Sequence, residues 1–139
     1  MLGEKLGEYT GKMIGVRVLG TDGHHHNHGP RMEVTIQQTG SILGVEGNDI
    51  GTYESCLQTG GHMTGKGQGI TTTKDGEIIT WTATGIGRPT GKGNAANWRG
   101  SIQYQTTSTK LAKLNGTCCI FEHDVDEKGE GKSRVYEWR

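Results

Sequence analysis

Four of the chain's six histidines fall in one short stretch, TDGHHHNHGP, residues 21–30. Neutral imidazole binds Zn²⁺, Ni²⁺ or Cu²⁺, and in an extended segment His24, His26 and His28 share one face, with His25 on the other. A resident metal centre takes its ligands from separate elements and needs further hydrogen bonds to hold them, and a single connecting loop supplies neither. The expectation is therefore a solvated, tag-like hairpin loop over 21–30. It would pick up Zn²⁺ or Ni²⁺ only adventitiously, and no resident cofactor is expected. His62 and His123 complete a site there only if the fold carries them to the loop.

A second set combines large aromatics with charge: Tyr53, Trp81, Arg88, Trp98, Arg99 and Tyr104, with the carboxylate of Glu122. In a small barrel, inward side chains either fill the interior or leave room for one small ligand. These residues are thus candidates for a lumen that takes an apolar or aromatic molecule. Glu122 is the candidate acid or base of a cyclase or isomerase, should the protein be an enzyme. Trp98 and Arg99 are neighbours in one strand and cannot both point inward.

Other motifs lead nowhere. GGHMTGKG has Gly60, Gly65 and Lys66 at phosphate-loop spacing, but Gly67 replaces the Mg²⁺-binding hydroxyl and no helix follows. NDIGT, residues 48–52, has the flavour of an aspartic peptidase but occurs once, so Asp49 is expected to cap a turn. There is no Gly-x-Ser-x-Gly elbow. The cysteines, Cys56, Cys118 and Cys119, are odd in number and read as small buried thiols.

The elements that must position these residues are short strands. The 139 residues suit one domain, 1–139, and 25 glycines interrupt almost every window in which a helix could run. In RMEVTIQQ, Met32, Val34 and Ile36 alternate with polar residues, and Ile14, Val16 and Val18 alternate in the preceding strand. GTYESCLQ, HMTGKGQGITTT, EIITWTATGIG, AANWRGSIQYQTT, TCCIFEHDV and SRVYEWR continue the series, and STKLAKLNG alone has room for a helical turn. About eight strands at regular spacing predict an all-β fold, a small closed antiparallel barrel, since closure removes exposed edges. Zero formal net charge argues against nucleic acid as a partner. The lack of an apolar run of about 20 residues argues against a membrane, so a cytoplasmic protein is expected.

The strings GQGITTTKDGEIITWTATGIGRPTGKG, NWRGSIQYQTTSTKLAKLNG and FEHDVDEKGEGKSRVYEW, with GVEGNDIGTYES, resemble a group of small prokaryotic proteins of unknown function. By fold that group is similar to the allene oxide cyclase type of eight-stranded barrel, lipocalin-like in outline. The resemblance implies a homo-oligomer, dimer or trimer, and places HHHNH in the first hairpin connection. It transfers no catalytic residue. The expected function is a binding or structural module for an apolar or aromatic small molecule in the barrel lumen. Its alternatives are a cyclase- or isomerase-type enzyme with a carboxylate in an apolar pocket, and metal binding through the histidine loop.

Overall fold

A computed structural model describes residues 1–20 and 29–139. Eight strands follow one another as β1 (Leu2–Leu19), β2 (Arg31–Ile42), β3 (Val45–Leu57), β4 (Met63–Thr73), β5 (Ile78–Pro89), β6 (Ala96–Thr106), β7 (Cys119–Val125) and β8 (Glu130–Trp138). Each pairs antiparallel with the next. β8 returns to β1, with Glu8 opposite Arg134 and Lys12 opposite Glu130, so the sheet closes into a barrel. Histidines 24, 25, 26 and 28, and with them the loop expected over 21–30, lie outside the described residues except at its last two positions.

Turn chemistry explains the meander. The β2–β3 hairpin turns on Leu43 (φ 51°) and Gly44 (φ 76°), two consecutive left-handed residues, as a two-residue loop requires. Between β7 and β8, the Asp126 carboxylate accepts the backbone N–H groups of Lys128 and Glu130, and Gly129 completes the turn.

The two ends of the barrel differ. The connection from β6 to β7 folds across one end as a single 3₁₀ turn, Ala112–Leu114, and drives Leu111 and Leu114 to complete burial against Tyr9, Ile79, Ile102 and Val135. Asn115 fastens this plug by pairing with Thr106 as a strand would: its Oδ1 accepts the Thr106 N–H and its Nδ2 donates to the Thr106 carbonyl, both at 2.9 Å.

One strand departs from its simple alternation. A bulge between Met13 and Gly15 puts Val16 opposite Val34 and Val18 opposite Met32, and throws Ile14 out of step with both. The expectation that Ile14, Val16 and Val18 share a half-buried face is therefore corrected, since all three are exposed.

Candidate functional site

Inward register positions on all eight strands surround a cavity of about 90 Å³. Tyr53 from β3, Trp81 and Ala83 from β5, Trp98, Ile102 and Tyr104 from β6 and Phe121 from β7 give it an apolar wall. Glycines give the two indoles their places. A Cβ on Gly69 would lie 2.3 Å from Trp81, and one on Gly51 would lie 2.5 Å from the same ring. Gly65 and Gly87 stand in the same relation to Trp98, at 2.6 and 2.7 Å. Gly65 and Gly69 of GKGQG are therefore bare positions on the sheet against which indole rings lie.

Four of the six aromatic and basic candidates are brought together in this way: Tyr53, Trp81, Trp98 and Tyr104. Tyr53 meets Trp98 edge to face at 5.5 Å between centroids. Both rings also line a second cavity of about 120 Å³ toward the end opposite the plug, so they stand between the interior and that end. Burial pushes the Tyr53 phenol up to about 12 and holds that of Tyr104 well above its ordinary value, which keeps both neutral.

The charged candidates lie elsewhere. Arg88 is exposed at the end of β5. Arg99 and Glu122 face outward in register with Arg134. Glu122 accepts from Arg134 Nε at 2.8 Å and sits 3.5 Å from Arg99 Nε, while Asp124 bonds both guanidinium groups at 2.7 and 3.0 Å. Glu122 thus belongs to an outer ion-pair network and not to the lumen.

The carboxylate inside the barrel is Asp49. It is no turn cap, as its sequence neighbourhood suggested, but an inward residue in the middle of β3 with 4 % of its surface exposed. Oδ1 accepts the Trp81 indole N–H at 2.7 Å and the Thr71 hydroxyl at 2.9 Å, and Oδ2 accepts the Gln38 amide at 3.1 Å. Burial raises its pKa, and these three donors oppose the rise. The chain of contacts continues across the barrel, for Ser133 Oγ donates to Gln38 Oε1 at 2.9 Å and meets His123 Nδ1 at 2.6 Å. The far nitrogen, His123 Nε2, is fully buried and has no hydrogen-bond partner among the described residues. Burial pushes the imidazole down to about 4, so the ring is neutral at physiological pH.

No family model matches the chain, and no curated protein matches it. Solved structures do. A protein with unknown function from Clostridium acetobutylicum superposes with a TM-score of 0.82 at 16% identity, over 99% of this chain and 97% of that one. A β-barrel like protein from Acinetobacter baumannii gives 0.81 at 17% identity, over 100% and 96%. The fold is that of a small β-barrel. A third structure, of an enzyme from Penicillium herquei, aligns at a TM-score of 0.67 and 14% identity over 96% of this chain and 92% of that one. At such identities these likenesses establish the barrel and not the finer allene oxide cyclase assignment.

Asp49, Gln38, Thr71, Ser133 and His123 as a connected group escaped the sequence reading. Alternation carried the signal: Gln38 follows Val34 and Ile36 in inward register, and His123 follows Cys119 and Phe121. Cys119 is buried, its thiol pushed up to about 11 by burial, whereas Cys118 is exposed and Cys56 half-buried. Among the described residues no group of three or more His, Cys, Asp or Glu side chains is placed to hold a metal, so His62 and His123 form no such site there. No described helix is long and apolar enough to cross a membrane.

Proposed function

We propose that the protein is a binding module for a small, largely apolar or aromatic molecule held in the barrel interior. The observation that carries this reading is an aromatic-walled cavity lined by an imidazole, His123, whose Nε2 is fully buried and meets no hydrogen-bond partner among the described residues. Pockets that hold small molecules combine such a wall with a few placed polar groups. A space of about 90 Å³ is far too small for a long acyl chain, and a single small ring would fill it. A ligand entering from the end opposite the plug passes Tyr53 and Trp98. Calorimetric titration with compact aromatics and with fatty acids tests the reading. Heats from the ring compounds that vanish when Ala83 is enlarged to Phe support it, and silence from every compound refutes it.

A second reading, an enzyme of the isomerase or cyclase type, is favoured by one observation: the interior holds both a carboxylate and a neutral imidazole base. The Penicillium herquei structure is of an enzyme, which is consistent with this reading. Asp49 and His123 take the role given in the sequence reading to Glu122. Deuterium incorporation beside the carbonyl of a bound cyclic ketone, lost in His123→Asn, would support it. An unlabelled ketone recovered from the wild type would count against it.

A further inference from the structure

We propose that Asp49 fixes, through Gln38 and Ser133, which nitrogen of His123 carries the proton, and that the interior thereby selects ligands that donate a hydrogen bond. The ligand half of this inference rests on the binding reading above; the relay half does not.

The inference follows from counting donors. Three donors converge on Asp49, and one of them, the Trp81 indole N–H, has no other role open to it. A carboxylate only accepts, so Gln38 must present its NH₂ to Asp49 and its oxygen to Ser133. The Ser133 hydroxyl then spends its single proton on Gln38 Oε1. At 2.6 Å from Nδ1, its oxygen can only accept, and the proton lies on Nδ1. Nε2 is left as a bare lone pair, buried and unpartnered, on a ring that lines the cavity. An acceptor in that state is costly until a donor meets it. The residue beside the ring is a glycine: a Cβ on Gly131 would stand 2.9 Å from Cε1 and 3.5 Å from Nε2.

Asparagine at position 49 reverses every step. Its oxygen still serves Trp81 and Thr71, but its NH₂ needs an acceptor, so the Gln38 amide turns over and donates to Ser133. Ser133 in turn donates to Nδ1, and the proton moves to Nε2. Asp49 is thus a positioning residue acting through two intermediaries, and the unpartnered nitrogen of His123 changes from acceptor to donor.

Nitrogen-15 spectra of the imidazole rings in the free protein read the tautomer directly, with His123→Asn identifying the signal. The wild type is expected to show Nδ1–H and Asp49→Asn to show Nε2–H. A second variant, Gln38→Met, cuts the chain while leaving Asp49 bound to Trp81 and Thr71, and is expected to show a mixture of the two forms. Nε2–H in the wild type, or an unchanged Nδ1–H in both variants, overturns the relay. Ligand selection is read by titrating indole, which only donates, against the isosteres indene and indanone, which do neither and accept respectively. The wild type should prefer indole by about tenfold, and Asp49→Asn should prefer indanone to indole. Equal affinities for all three overturn the selection and leave the binding reading standing. No binding by any of them overturns the binding reading and the selection with it, while the nitrogen spectra judge the relay alone.

Discussion

The indole N–H of Trp81 reaches the carboxylate of Asp49 at 2.7 Å, tying one of the two indoles of the cavity wall to the one acidic side chain that is buried among the described residues. This contact depends on two glycines, because Gly51 and Gly69 leave bare sheet where the ring lies. Gly69→Ala puts a methyl group 2.3 Å from Trp81, against a ring that cannot fold aside. The expected cost is about 1–3 kcal/mol in chemical denaturation, with a shift in tryptophan emission as the ring leaves Asp49. A variant with wild-type emission and midpoint would show that the ring is not held there.

Asp49 itself matters through what it leaves behind. Asp49→Leu strips an acceptor from Trp81, Thr71 and Gln38 together, and buried donors without partners cost about 1–3 kcal/mol each before relaxation. Three such losses partly relieved by relaxation give an expected destabilisation of about 3 kcal/mol. Asp49→Asn keeps a full set of partners and should cost much less, so the ordering of the two unfolding midpoints is the test.

Glu122 was the carboxylate singled out from the sequence, and its outward position makes a contrary prediction. It sits 32 % exposed between Arg99 and Arg134. Glu122→Gln should therefore leave ligand titrations unchanged and cost under about 1 kcal/mol. Loss of binding in this variant would return the site to the outer face.

These two carboxylates show what the sequence could and could not convey. Alternation and glycine-marked turns were enough to outline the strands and the closed barrel, and the aromatic members of the wall were recognisable as inward positions. Asp49 was obscured by its flanking glycines. Gly47 and Gly51 look like turn residues in a linear string, yet both face inward beside it, and Gly51 is bare because Trp81 arrives from a strand thirty residues away. Glu122 was grouped with the aromatics as the carboxylate of the lumen, yet its strand neighbour His123 is the buried residue, and adjacent strand residues point to opposite faces. The Gln38–Ser133 contact joins residues 95 apart in the chain, which no local spacing reveals.

The plug at the closed end should prove separable from the barrel wall. Asn115 holds it through paired hydrogen bonds to Thr106, and Leu111 and Leu114 fill the opening. Asn115→Ala removes both bonds while leaving the leucines, with an expected loss of about 1–2 kcal/mol. Amide exchange at residues 111–116 should quicken while exchange in β3 and β4 stays slow. Uniform acceleration across the sheet would mean that plug and wall open together.

Acid should weaken the fold through His123. Burial lowers its pKa from 6.5 to about 4, with the charge of Asp124 pulling weakly the other way. Between those values the unfolded chain takes up a proton that the folded chain refuses, so the contribution of this group is complete above 6.5 and is lost as the pH falls toward 4. A shift of that size corresponds to about 3 kcal/mol. Asp49 acts with the opposite sign. Its raised pKa means that the folded state holds a proton which the unfolded state has released above 3.8, so its contribution fades as the pH rises through the folded value. The wild-type profile is therefore the difference of two slopes. His123→Asn removes only the first. Urea denaturation at intervals from about pH 7 to about pH 4 should show the wild type losing stability more steeply than His123→Asn, with the curves converging as the acid limit is approached. Parallel curves would place His123 in contact with solvent in the folded protein and remove the buried imidazole on which the interior chemistry depends.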